Sequence, residues 1–227
     1  MSEIYLVRHA QASFGEGDYD RLSALGHRQA AWLGEYFKFR DLRFDRVICG
    51  DMVRHHETLD GICAAMGLDT SDRQAHSQWN EFDFEALVYA YLAEHPEEQL
   101  DRKTAKTSDF SRLLQRTMRA WAGDKFTRDI PETWADFEQR VRSGLARATS
   151  PFEQDSRTLV VSSGGAIAMA IRQVLAAPAE AMIQMNLQAR NSSFSHFFFN
   201  QDSIHLSGFN HVPHLDHPER RTAVTYF

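Results

Sequence analysis

The sequence predicts an α/β protein: a three-layer α/β/α sandwich around a mostly parallel sheet, with a helical insertion. Three observations carry that prediction. Short β-branched runs alternate with segments of helical period; "TLVVSSGGAIAMAIRQVL" has the strand, turn and helix order of one α/β unit; and two alternating runs, "SFSHFFF" and "SIHLSGF", are separated only by "NQD", a hairpin connection.

The elements follow in order. Ile4 to Val7 is a buried-strand run that ends at Arg8-His9, and the next residues mix Gly, Asp and Ser, so the strand opens into a loop with His9 at its C-terminal end. Ser23 can cap a helix whose apolar stripe, Leu25, Ala30, Leu33 and Phe37, runs to about Phe39. "DRVICG" predicts a second buried strand. "DMVRHHETLDGICAAMG" predicts a helix through Val53, Leu59, Ile62 and Met66, with Arg54 in its first turn and Gly67 as its C-terminal cap. Beyond "WNEFDFEAL", helical patterns at 110–121 and 134–145 outweigh strand patterns. The stretch from about 85 to 150 therefore reads as a helical insertion within a single domain spanning 1–227. Gly164 and Gly165 read as a tight turn, and the last dozen residues read as a tail.

Composition narrows the function classes. The chain has 227 residues, 43% hydrophobic and 25% charged, enough for one sizeable core. Its net charge of -6, with 31 acidic against 25 basic residues and no Lys/Arg block, argues against a nucleic-acid partner. "MSEIYLVRHA" lacks the charge and apolar length of a secretory leader, and no run reaches membrane-spanning length, so no membrane partner is expected. Two cysteines, Cys49 and Cys63, fit a reducing compartment better than a disulfide framework, and the expected location is cytoplasmic.

Arg8-His9 at a strand end is chemically suggestive. Such ends open onto the ligand crevice of an α/β sheet, a neutral imidazole can attack phosphorus, and adjacent cations depress its protonation while holding the phosphoryl group. Arg54 sits in a first helical turn, where backbone amides favour a phosphate. Glu81, between Trp79 and Phe82 with Phe84 beyond, is a carboxyl that aromatic surroundings would keep protonated and fit to donate to a leaving alcohol. Taken singly, each has an ordinary alternative: a charged strand end, a solvated helix arginine, a rim carboxylate.

In order, these pieces resemble the phosphoglycerate-mutase-like branch of the histidine phosphatase superfamily over nearly the whole chain. "LVRHAQAS" looks like the family's Arg-His-Gly-Glu/Gln motif with Ala10 for Gly, and "LSALGHRQAAWLG" like its Leu-Thr-x-x-Gly-x-x-Gln-Ala-x-x-Leu-Gly helix. "DMVRHHET" resembles the segment with the second arginine, "WNEFDF" the acidic loop, and "RNSSFSHF" and "FNHVPHL" the closing strands. The resemblance implies that His9 is the phosphorylated nucleophile, that Arg8 and Arg54 clamp the phosphoryl oxygens, and that Glu81 is the general acid. It also implies that Gln11, Ser13 and Gly164 help bind substrate, and that no metal or organic cofactor is needed.

The departure is at "VVSSGGAI", where the family has Val-Val-Ser-His-Gly-Gly and this chain has Ser163 in place of the second catalytic histidine. Losing one preorganised donor typically costs about a hundred- to a thousandfold in rate. Three answers stay open: Ser163 with the backbone amides of Gly164 and Gly165 suffices; another histidine (His55, His56, His196, His211 or His214) supplies the imidazole; or the protein is a pseudophosphatase that binds phosphorylated ligands or a protein partner.

The expected function is hydrolysis of small organic phosphate monoesters, with Ser163 counted among the catalytic residues and activity altered or reduced by it. A mutase is the less favoured activity, because the insertion looks unlike the mutase's longer substrate-capping segment. A serine hydrolase is disfavoured because Val161 stands where a nucleophile elbow needs Gly. A metal site is disfavoured because, of the eleven histidines, His55 and His56 are adjacent rather than i, i+4 and no Cys or Asp ligand spacing accompanies them; "HVPHLDHPERR" is left as a weak metal-binding candidate. Aromatic residues of the insertion, Phe110, Trp121, Phe126, Trp134 and Phe137, could line a substrate entrance, but at helical spacing such residues are more often core.

Overall fold

A computed structural model of the chain describes residues 1–13, 20–101, 106–150 and 152–226. Strand β1 (Ser2–Arg8) leads to α1 (Ala24–Phe39), β2 (Arg46–Cys49), α2 (Val53–Met66) and the short β3 (Gln74–Ala75). Helices α3 (Phe84–Glu94), α4 (Thr107–Ala122) and α5 (Trp134–Ala148) come next. The chain then continues through β4 (Arg157–Ser162), α6 (Gly164–Val174), α7 (Ala179–Gln188), β5 (Phe194–Phe199) and β6 (Ile204–His211).

The six strands form one sheet in the order β3-β2-β4-β1-β5-β6. The pairs β1 with β4, β2 with β4, and β2 with β3 are parallel; β5 joins β1 antiparallel and carries β6 as a hairpin. The predicted α/β architecture is the one observed. Alternation along β1 divides the core. Ile4 and Leu6 face one layer with Trp79, Phe137, Ile171 and Met182, while Tyr5 and Val7 face the other with Leu33, Phe37, Leu59 and Ile62 from α1 and α2. Because both faces are covered, the strand is apolar throughout its centre, as a buried parallel strand must be.

Local signals account for the helix ends. The Ser23 hydroxyl accepts the Gly26 N–H at the start of α1, and Gly67, with φ 74°, closes α2 in the left-handed region that Gly adopts without steric cost. Among the insertion's aromatic residues, Trp121 and Phe137 are fully buried and pack on Phe82, with ring centroids 4.9 Å and 5.4 Å away. They are core and not entrance, whereas Phe110 is exposed.

Two readings need correction. The glycine pair is not the turn: Ser163 makes the turn, and Gly164 and Gly165 are the first residues of α6. The last dozen residues are not a tail. After a 3₁₀ turn at Pro213–Leu215, residues 216–226 include a second at Pro218–Ala223 and are stitched to the body, with the Gln29 side chain donating to the Ala223 carbonyl (2.7 Å) and Asn191 N–H to the Thr225 carbonyl (2.9 Å). Their polar composition hid backbone groups that find partners in distant loops. Among the described residues, no helix is long and apolar enough to cross a membrane, and Cys49 and Cys63 are free, buried thiols.

Candidate active site

The sheet register assembles the site. Arg8 on β1 lies opposite Ser162 on β4, and His9 N–H donates to the Ser162 carbonyl at 2.8 Å, so His9 and Ser163 leave adjacent parallel strands side by side. Their neighbour β2 leads into α2, whose second residue is Arg54. Thr58, one turn along α2, locks strand end to helix: its hydroxyl accepts Ala10 N–H (3.0 Å) and donates to the Arg54 carbonyl (2.7 Å).

His9 is buried, and its Nδ1 donates to the Ala10 carbonyl at 2.8 Å, which fixes the tautomer and leaves the Nε2 lone pair free. Burial first, then the charges of Arg54 and Arg8 and the nearby His55, hold its pKa well below the usual imidazole range, so the ring is neutral at pH 7. Arg8 is aimed by two backbone carbonyls, those of Ala189 and of Tyr226, the second at 2.8 Å. Arg54 is buried and paired with Asp20 Oδ1 at 2.8 Å, while the other oxygen of Asp20 accepts Val53 N–H at 2.9 Å.

Glu81 follows the 3₁₀ turn Ser77–Trp79, which is pinned to β4 where the Ser162 hydroxyl donates to the Trp79 carbonyl at 2.7 Å. One Glu81 oxygen accepts Gly165 N–H at 3.0 Å. A Cβ on Gly165 would lie 2.3 Å from the other, so this glycine is what allows the carboxylate to dock on the start of α6. Burial raises the Glu81 pKa against the opposing pull of the Gly165 N–H, Arg54 and Arg8. That is the direction a proton donor requires.

Ser163 is fully buried. Of the five histidines considered for the missing imidazole, His55 is the one in contact with it: His55 Nε2 lies 2.7 Å from Ser163 Oγ. His56 lies 3.6 Å from the Cys49 sulfur, His196 pairs with Glu3, His214 bonds the Ser192 hydroxyl, and His211 is exposed on β6. Gly164 packs beside Arg8: a Cβ there would sit 3.4 Å from the guanidinium Nε.

Gln11 and Ser13 lie on the loop leaving β1. The Gln11 side-chain oxygen accepts the Ser23 hydroxyl at 2.8 Å, and Ser13 N–H donates to the Arg21 carbonyl at 2.8 Å. The loop predicted to continue from them, 14–19, lies outside the described residues. Asp20, Thr58 and Tyr226 were not singled out from sequence. Asp20 and Thr58 carry no local signal, and Tyr226 acts through its carbonyl, which every residue has. Among the described residues, no group of three or more His, Cys, Asp or Glu is placed to hold a metal ion. A cavity of about 800 Å³ is lined by Tyr36, Arg40, Arg190 and Tyr226 among others, with none of His9, Arg54, Glu81 and Ser163 on its wall.

The buried histidines imply acid lability. Burial, with Arg220 nearby, lowers the His214 pKa to about 3, and His9 and His55 shift the same way. The unfolded chain protonates these groups near their ordinary value while the folded chain does not. Their contribution to stability is therefore present above about pH 6.5 and is lost as pH falls toward the folded value, at roughly 1.4 kcal/mol per unit per group. Glu81, with its raised pKa, opposes this as pH falls through its folded value. The melting temperature is expected to fall between pH 7 and pH 5, and His214→Asn to flatten that slope. A flat profile in the parent would contradict neutral burial.

A sequence model of the histidine phosphatase superfamily (branch 1) matches residues 4–212. A probable phosphoglycerate mutase, GpmB, from Salmonella arizonae is 29% identical, over 96% of this chain and 97% of that protein. Two solved structures share the fold. A phosphoserine phosphatase mutant from Entamoeba histolytica, in complex with phosphoserine, has a TM-score of 0.66 and 17% identity over 95% of this chain and all of that one. A phosphoglycerate mutase from Bacillus anthracis has a TM-score of 0.68 and 17% identity over 94% of each chain. Matched along nearly its whole length, the chain belongs to branch 1 of the histidine phosphatase superfamily.

Proposed function

We propose that the protein hydrolyses small organic phosphate monoesters through a phosphohistidine at His9. The observation that carries this reading is the state of His9: a buried, neutral imidazole with Nδ1 committed to a carbonyl and two arginines depressing its basicity. In the first step Nε2 attacks phosphorus, the P–N bond forms as the ester P–O bond breaks, and the leaving oxygen takes the Glu81 proton. In the second, water attacks phosphorus, the P–N bond breaks, and the water proton returns to Glu81. Arg8 and Arg54 hold the phosphoryl oxygens in both steps. Hydrolysis is preferred over transfer to a second hydroxyl because the insertion looks unlike the mutase's longer substrate-capping segment. The similarity to proteins named as phosphatases and as mutases supports phosphoryl chemistry of either kind.

The test is rapid-quench trapping during turnover of a nitrophenyl phosphate, followed by product analysis. Expected are an acid-labile, base-stable phosphoenzyme and release of inorganic phosphate. Phosphate transferred to a second hydroxyl of a phosphoglycerate would favour a mutase. Binding of phosphorylated ligands without a phosphoenzyme would favour the pseudophosphatase.

A further inference from the structure

Ser163 stands at the N-cap of α6, where a serine hydroxyl ordinarily accepts a backbone N–H of the first turn. Here it makes no such bond. Gly165 N–H is given to Glu81, and the Ser163 hydroxyl oxygen instead lies 2.7 Å from His55 Nε2. His55 projects from α2, is fully buried, and lies with its ring 5.8 Å from the His9 ring, centroid to centroid. Among the described residues its Nδ1 has no hydrogen-bond partner, so Ser163 is the one polar contact among them that orients the ring.

The space for this imidazole is made by Gly50. A Cβ at position 50 would stand 2.3 Å from His55 Nδ1 and 2.8 Å from Cε1, closer than any side chain could be. Gly50, His55 and Ser163, from three separate segments, therefore fit one another. A buried imidazole with one polar partner is costly to place unless the arrangement is used.

We propose that His55 supplies, through the Ser163 hydroxyl, the second imidazole of this site, so that the pair acts on the phosphoryl group as one donor. This rests on the phosphohistidine reading of the site and deepens it. With Nε2–H donating to Ser163 Oγ, the serine proton is free to point at a phosphoryl oxygen, and a neutral hydroxyl polarised by an imidazole is a stronger donor than serine alone. No covalent bond to either residue forms or breaks: phosphorus passes from the ester oxygen to His9 Nε2, Glu81 delivers the proton, and the His55 proton stays on Nε2. The charged and titratable groups around His55 are Arg54 and His56 on its own helix and His9 from the end of β1. His55 is a positioning residue, since it reaches the reacting atoms through Ser163.

The experiment is a mutant cycle read in two ways: kcat and KM for nitrophenyl phosphate, and the Kd of vanadate, which binds as a mimic of the five-coordinate transition state. Thermal denaturation of every variant accompanies both. His55→Ala and Ser163→Ala are each expected to lower kcat about 10- to 100-fold with KM changed less than about threefold, and the double variant to be no worse than the poorer single. Ser163→His alone is expected to impair the parent, because His55 already fills that space. The same change in a His55→Ala background is expected to restore kcat to within about tenfold of the parent, and this recovery answers the concern that His55→Ala merely misfolds.

Vanadate affinity is expected to follow the same order. Unchanged kcat in His55→Ala, or losses that multiply in the double variant, would overturn the proposal. A parent that binds vanadate but forms no phosphoenzyme would overturn the hydrolase reading alone, leaving the pair to be judged by vanadate. A parent that binds no vanadate would overturn both.

Discussion

Replacing His9 by alanine is expected to abolish the phosphoenzyme and lower kcat for every monoester by at least about a thousandfold, with phosphate binding kept within about tenfold. The asymmetry between chemistry and binding follows from how the site is held. Arg8 takes its aim from the Ala189 and Tyr226 carbonyls and Arg54 from Asp20, none of which involves the His9 ring. Alanine removes the Nδ1 bond to the Ala10 carbonyl, a loss of about 1 kcal/mol, so the variant is expected to stay folded. Phosphate release by the purified variant, with isothermal titration of inorganic phosphate, checks both halves. Retention of more than a tenth of parental kcat would place the nucleophile elsewhere.

Replacing Glu81 by glutamine is expected to act in proportion to how much the leaving group needs a proton. For alkyl phosphates, whose alkoxide leaves poorly, kcat/KM is expected to drop about 10²- to 10⁴-fold, the usual contribution of a general acid. A nitrophenolate leaves without help, so the loss for that substrate is expected to be under about tenfold. Glutamine keeps an oxygen for the Gly165 N–H and nearly the same shape, so the docking on α6 survives. The pH profile gives a second reading. The donor works only when protonated, so alkyl-ester activity falls as pH rises through the Glu81 pKa. Burial has moved that pKa upward, which places the falling limb above the ordinary carboxyl range. Glutamine is expected to remove the limb. Equal losses for both leaving groups would instead assign Glu81 a structural part.

What could be read from the sequence, and what could not, divides along physical lines. The ends of α1 and α2 were legible because Ser23 and Gly67 act on neighbouring backbone groups. The sheet strands were legible because β-branched runs bury on both faces. Helix α7 escaped notice although Pro178, its N-cap, is a helix-breaking residue that separates it from α6: the N-cap makes no side-chain bond, and the apolar pattern runs on across the break. The two-residue β3 is too short to carry any period. At the site, Arg8, His9, Arg54 and Glu81 could be nominated from motif order, and the structure places them around one point. The contact between His55 and Ser163 could not be singled out, since it depends on which face α2 turns toward β4. The sequence left His55 as one histidine among five.

The position of β1 sets a schedule for the molecule. It precedes the other five strands of the sheet and lies near the middle of it, yet its partners begin about 150 and 190 residues later, at Arg157 and Phe194. At a translation rate of about 5–20 residues per second, its apolar face waits on the order of ten seconds or longer for either neighbour. The nascent chain must carry that strand unpaired until loops of such length close, which makes for slow folding dominated by distant contacts. Folding yield, more than the stability of the finished protein, is therefore where crowding, synthesis speed and chaperone supply would act on this chain.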